Sequence, residues 1–207
     1  MVEQTITEQK IYVSVDDYME HYAHLHYEWV DGELIKIMPG SLLHQNMIAF
    51  LLQFFNAYFA FNKIGQVIFE SFVMRLDAFP NRRREPDLQV ILNTNPGQLT
   101  ETYMHGAADI CIEIVSPESI ERDYDDKLKE YEAGGVREYW IFDPNRKSVQ
   151  FHRLNESGTY THIRPDAEGT YQTPLLPNFS LNVPTLWADP LPNFVQIYEI
   201  VKAMFAG

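Results

Sequence analysis

Two apolar runs constrain this chain more than any other feature. "DLQVIL", Asp87 to Leu92, and "DICIEIV", Asp109 to Val115, are short and almost continuously apolar. They therefore read as interior strands covered on both faces. Yet each carries a carboxylate. Asp87 opens its run directly after Pro86, which pushes Glu85 toward an extended conformation. Glu113 lies in the middle of the other run. Side chains alternate along a strand, so Ile110, Ile112 and Ile114 share one face and Cys111, Glu113 and Val115 share the other. A buried, unpaired carboxylate is costly. Glu113 thus calls for a cation, a metal or a raised pKa, unless its face is solvated or an arginine pairs with it. If the two strands are neighbours, Asp87 and Glu113 converge at one end of the sheet. Two convergent carboxylates are the minimal site for Mg²⁺, which completes its shell with water and substrate phosphate.

The rest of the chain supplies partners for these strands. Ser14, with Asp17 three residues on, caps a short helix through "VDDYMEHYAHL". "YEWVDGELIKI" reads as a hairpin turning at Asp31-Gly32. Pro39-Gly40 ends that hairpin, and Ser41 caps a long buried helix running to about Asn62, with Gly65 closing it. "QVIFESFVMRL" is a further strand. A charged helix is expected from Pro117 to Ala133, ending at Gly134-Gly135, followed by the core strand "VREYWIF" and, after Asp143-Pro144, by "SVQFHRL". A looser β region fills the 150s to the 180s. In "FVQIYEIVKAMFA" the residues Phe194, Ile197, Ile200 and Val201 form one apolar stripe, which either packs inward or pairs with a second copy. A homodimer is the expectation. With no repeat or linker, residues 1–207 read as one α/β domain with a mixed sheet.

Composition narrows the function classes. The single cysteine, Cys111, excludes an internal disulfide framework and an all-cysteine metal site; inside its strand it reads as an inert, buried thiol. "MVEQTITEQK" has neither a basic start nor an apolar stretch. "MIAFLLQFFNAYFAF" is broken by Gln53 and Asn56 and falls short of the roughly 20 apolar residues of a membrane span. A soluble, cytoplasmic protein with no membrane partner is expected. Lys and Arg number 16 against 29 Asp and Glu, a net charge of -13, which speaks against a surface that coats DNA. His21, His24 and His26 lack the spaced partner set of a zinc site.

After Glu113, Asp123, Lys127 and Tyr131 follow at i, i+4 intervals and share a helix face. Taken alone, Asp123 and Lys127 are an exposed pair worth a few tenths of a kcal/mol. In sequence order, however, the chain presents "E-PD" before a core strand and a strand with an isolated Glu followed by "SPES". D-x-x-x-K-x-x-x-Y and "GV-EYWI-DP" come next. This ordered set resembles the PD-(D/E)xK restriction-endonuclease-like superfamily. More closely it is similar to the Uma family of candidate endonucleases, formerly a domain of unknown function. The upstream "YEWVDGELIKIMPGSLLHQ" agrees, with Glu28, Asp31-Gly32-Glu33 and His44 in place. The resemblance covers about Tyr27 to Arg153. It implies a restriction-endonuclease-like α/β core over residues 27–153, a mixed β-sheet flanked by helices, with an N-terminal helix and a C-terminal β and helical extension.

On that resemblance, Asp87 matches the Asp of "PD" and Glu113 the acidic residue of "(D/E)xK". The lysine position is Val115, a departure, and Lys127 on the next helix is the substitute, since its long stem can bring an ammonium to the same point. The implied activity is Mg-dependent (or Mn-dependent) hydrolysis of phosphodiester bonds in DNA. Asp87 and Glu113 would be metal ligands, Lys127 a catalytic cation and Glu33 an accessory carboxylate. Arg82, Arg83, Arg84, Arg122 and His44 are the candidate substrate-binding residues. Two rivals remain. One is an inactive member serving as a protein-interaction or oligomerisation module, which suits the acidity and the missing strand lysine. The other is a glycosidase using the two carboxylates, for which no aromatic sugar platform is evident.

Overall fold

The computed structural model describes residues 10–38 and 40–206; Pro39, expected at the end of the hairpin, lies outside the described residues. The chain begins with α1 (Val15–His21), the hairpin β1 (Tyr27–Val30) and β2 (Glu33–Lys36), and α2 (Leu42–Phe61). Then come β3 (Gly65–Phe69), β4 (Val73–Arg75), β5 (Arg82–Arg83), β6 (Leu88–Leu92), β7 (Gln98–Leu99), β8 (Tyr103–His105) and β9 (Ile110–Ile114). A π-helical turn (Arg122–Asp126) runs directly into α3 (Lys127–Gly134). β10 (Glu138–Asp143), β11 (Ser148–Leu154), β12 (Tyr160–Ile163), β13 (Thr170–Tyr171), β14 (Leu181–Asn182) and α4 (Phe194–Ala203) complete the fold.

Six strands form the main mixed sheet in the order β12-β11-β10-β9-β6-β3. Only the β9–β10 pair in it is parallel; its other neighbours are antiparallel. The two apolar runs are adjacent interior strands, and every residue of β6 and β9 is buried. The alternation expected of β9 holds. Ile110, Ile112 and Ile114 join Trp140, Phe142 and the aromatic face of α2 in one cluster. Cys111 and Val115 join Ile141, Tyr139 and Tyr131 in a second cluster on the opposite face. Covering both faces is what licenses such continuously apolar strands.

The C-terminal β region packs on the α2 side, where Tyr171, Phe179 and Leu181 enter the first cluster. Glu138 ties this region to the sheet. Its side chain is fully buried, and Trp140 Nε1, Tyr171 OH, Thr173 Oγ1 and Arg153 Nε all donate hydrogen bonds to it, at 2.8, 2.8, 2.7 and 2.7 Å. Glu138→Ala strands these donors and an unpaired arginine, so a loss of about 3–5 kcal/mol is expected in urea unfolding.

Three expectations need correction. "QVIFESFVMRL" is not one strand: the chain bends at Ser71, which has φ 57, so β3 joins the main sheet and β4 pairs with β8. The helix expected from Pro117 is interrupted by the π turn, in which the Lys127 N–H reaches back to the Arg122 carbonyl. The C-terminal stripe divides. Ile197 and Val201 are fully buried against α2, while Phe194 and Ile200 are exposed.

Candidate active site

The site is built where β6 and β9 meet the π turn. The antiparallel register pairs Leu88 with Ile112, and carried one step further it sets Asp87 opposite Glu113. The Ile114 N–H donates to Asp87 Oδ2 at 2.6 Å, so the two strands lock Asp87 in place beside Glu113. His44 stands in the first turn of α2, which is fixed by the Ser41 cap on its N–H. From there its Nε2 lies 3.3 Å from Asp87 Oδ2. Burial alone would lower the His44 pKa, but the hydrogen bond to Asp87 and the charge of that carboxylate raise it.

Lys127 supplies the cation that Glu113 requires. Its Nζ lies 2.8 Å from Glu113 Oε1, 3.2 Å from Glu28 Oε1 and 3.7 Å from Asp123 Oδ1. Its side chain is only 3% exposed. The pair with Asp123 is therefore no surface decoration. π turns recur at functional sites because one extra residue re-aims the helix face, and here the turn brings Asp123 and Lys127 inward together. Burial opposes the charged ammonium, yet Glu113, Glu28 and Asp123 outweigh it and hold the Lys127 pKa above its ordinary value. Burial pushes Glu113 well above the carboxylate range, with Lys127 partly offsetting and Asp123 and Asp87 adding to the rise. The Tyr131 hydroxyl also donates to Glu113 Oε1, at 3.1 Å.

Glu28 is the residue that sequence reasoning left unassigned. It is fully buried on β1, receives Lys127 on one oxygen and Arg84 on the other (2.9 Å), and accepts the Glu85 N–H at 3.2 Å. Glu33, the expected accessory carboxylate, sits two residue pairs nearer the hairpin turn and pairs with Lys10 at 2.8 Å, outside the cleft. The arginine run is also placed differently from expectation. Arg82 binds Asp31 and Glu130, Arg83 lies over the Trp29 ring, and Arg84 is buried between Glu28 and Glu130. None of the three lines the cleft, whereas Arg122, Lys36 and Lys127 do.

These residues enclose a cleft of about 480 Å³ that includes Glu28, His44, Glu70, Glu85, Asp87, Glu113, Arg122, Asp123 and Lys127. Seven carboxylates line it against three Lys and Arg. Five buried side-chain atoms among the described residues lack a hydrogen-bond partner, and four of them belong to cleft residues: His44 Nδ1, Glu85 Oε2, Arg122 Nε and Asp123 Oδ1. Unsatisfied buried groups are rare in folded proteins, and these four belong to residues of one cleft. Among the described residues no three His, Cys, Asp or Glu are preassembled around one point. What stands ready is the Asp87–Glu113 pair, whose Oδ1 and Oε2 accept no hydrogen bond among the described residues. A hard divalent cation that keeps most of its water suits such an all-oxygen pair.

Two carboxyl groups of the cleft titrate in opposite senses. Burial would raise Glu28, but Lys127, Arg84, Arg122 and the Glu85 N–H bring it down to about 2. Its contribution to stability is complete above the ordinary 4.5 and disappears as the pH falls toward 2. Glu85 is raised to about 8, first by burial and then by the charge of Glu28, with Glu70 adding to it. The native state resists ionising Glu85, so this residue erodes stability as the pH climbs from 4.5 to 8. Glu85→Gln is expected to unfold at higher denaturant than wild type near pH ~9, by on the order of 1–3 kcal/mol, and to lose that advantage near pH ~4.

With this geometry established, comparison with known proteins identifies the family. The Uma family model, described as "Putative restriction endonuclease", matches residues 15–184. The chain belongs to this family. A solved structure described as "a putative nuclease belonging to DUF820 from Anabaena variabilis ATCC 29413" shares its fold with a TM-score of 0.70. The identity is 15%, with 84% of this chain and 97% of that chain covered. The α/β fold described above, a mixed sheet flanked by helices, is thus shared with that structure. Among curated proteins no match was found. No described helix of this Uma-family chain is long and apolar enough to cross a membrane.

Proposed function

We propose that this Uma-family protein is a divalent-metal-dependent endonuclease that hydrolyses phosphodiester bonds in DNA, with Mg²⁺ or Mn²⁺ held by Asp87 and Glu113. One observation carries the reading: a buried lysine ammonium 2.8 Å from Glu113, beside a carboxylate pair with oxygens to spare. When bound, the metal would lower the pKa of its water and draw charge from the phosphate. The chain's own residues do the rest. Ile114 N–H and His44 orient the Asp87 carboxylate. Lys127 stays protonated, so it acts by stabilising negative charge on the phosphate and not as a base. Lys36 lines the cleft without an ion-pair partner among the described residues and is placed to hold a flanking phosphate.

We also place the activity in the cytoplasm and within a single domain, since α4 shares its core cluster with the main sheet. A homodimer would use the exposed Phe194, Val195, Tyr198 and Phe61; light scattering giving a monomer mass at micromolar protein would end that part of the proposal. The rival reading, an inactive interaction module, is favoured by the excess of carboxylates in the cleft. Incubating the protein with supercoiled DNA, single-stranded DNA and RNA, each with Mg²⁺, Mn²⁺ or chelator, decides between the two. Metal-dependent cleavage supports the nuclease. Neither cleavage nor Mn²⁺ binding supports the module.

A further inference from the structure

We propose that the cleft takes a single-stranded stretch of DNA, laid over an apolar ledge of Leu25, Ile37 and Met38, and not an intact duplex. The proposal rests on the nuclease reading above and names the strandedness that the same site accepts. The ledge is the observation that decides it. Leu25 is 49% and Met38 51% exposed, and both line the cleft together with Ile37. Lys36, Ile37 and Met38 are consecutive and all line it, so a cation for phosphate stands directly beside apolar surface for a base. In a duplex the faces of the bases are covered by their stacked neighbours. Only an unpaired base has a face to lay on such a ledge.

Depth and charge agree. The side chains of Glu113 and Lys127 are 3% exposed and that of Asp87 16%, so a phosphate must enter the cleft to reach them. The volume, about 480 Å³, is that of a small-molecule pocket. A duplex is stiff and carries its second strand along with the first, whereas a single strand folds a nucleotide into such a space. Three Lys and Arg line the cleft, and Lys127 is already shared by Glu113, Glu28 and Asp123. That leaves Lys36, with no ion-pair partner among the described residues, and Arg122, whose Nε is buried without a hydrogen bond. Two available cations on a chain of net charge -13 match about two phosphates of one strand. They fall far short of a duplex, with its negative charge every ~1.7 Å of axis.

The test follows the fluorescence anisotropy of one short labelled DNA oligonucleotide, alone and annealed to its complement, with Ca²⁺ in place of Mg²⁺ so that binding is read without turnover. The single strand should bind about tenfold or more tightly than the duplex. Its log affinity should fall with log salt at a slope of about -1.4, two phosphates at about -0.7 each, and Lys36→Gln should bring the slope to about -0.7. Leu25→Ser combined with Met38→Ser should lower single-strand affinity about tenfold or more. Both side chains are half exposed, so the melting temperature should stay near that of wild type. Duplex binding as tight as single-strand binding, or binding of neither, overturns the proposal. So does a double variant that keeps its single-strand affinity but sediments as a monomer where wild type is a dimer, since the ledge would then dock a second copy of this chain. Failure of the nuclease reading is separately visible as absent Mn²⁺ binding and absent cleavage, whereas metal-dependent cleavage confined to duplex defeats this proposal alone.

Discussion

Lys127→Met is expected to abolish metal-dependent cleavage and to cost the fold about 3–5 kcal/mol. Both effects follow from one position. The ammonium is shared by Glu113, Glu28 and Asp123, and all four side chains are buried. Methionine fills a similar volume but leaves Glu113 and Asp123 without their cation, Glu28 keeping Arg84, and an uncompensated buried charge is far worse than a lost surface pair. Had Asp123 and Lys127 formed the exposed i, i+4 pair that the spacing alone suggests, the cost would be only ~0.5 kcal/mol. Denaturant unfolding distinguishes the two cases. To separate chemistry from folding, Lys127→Met is combined with Asp123→Asn, which removes one orphaned charge. The double variant should recover part of the stability and none of the cleavage. Cleavage restored together with stability would mean that Lys127 serves the fold only.

Asp87→Asn should give the opposite pattern: an intact fold with metal binding weakened and activity lost. The carboxamide oxygen can still accept the Ile114 N–H that Asp87 Oδ2 accepts at 2.6 Å, so β6 and β9 stay joined. The negative charge is lost, and with it half of the oxygen pair facing Glu113. Mn²⁺ affinity is expected to fall by about tenfold to a hundredfold, the loss typical of disturbing a metal site, and cleavage to fall at least as far. Melting temperature should change little. Unchanged Mn²⁺ affinity would remove Asp87 from the metal site and leave Asp123 or Glu85, both with unpartnered oxygens in the same cleft, as the alternatives.

The two substitutions show where sequence reasoning reached and where it stopped. That Asp87 and Glu113 sit side by side was legible, because two apolar runs of strand length force interior neighbours and period-2 alternation then sets the faces. Cys111, Glu113 and Val115 do share a face, and Lys127 and Tyr131 both reach Glu113. Burial of the Lys127 face was not legible, since i, i+4 spacing is the same on a wet helix and a dry one. The π turn that points it inward has no simple sequence signature. The arginine run misled for a similar reason. Local charge density says nothing about which acids lie within reach, and Glu28, Asp31 and Glu130 draw Arg82 and Arg84 away from the cleft.

By itself, then, the sequence determined the interior strands, the hairpin at Asp31-Gly32, the long capped α2 and the adjacency of Asp87 and Glu113. Each of these rests on periodicity, turn chemistry or capping within one segment or between two neighbouring ones. Only the tertiary structure decided that Glu28, and not Glu33, meets Lys127, and that Glu85 is left with an unpartnered oxygen in the cleft. It alone divided the apolar stripe of α4 between core and surface. The physical reason is range. Hydrogen bonding and side-chain alternation act over a few residues of chain, whereas burial and charge pairing depend on segments dozens of residues apart, and which of them meet is settled only when the whole core closes.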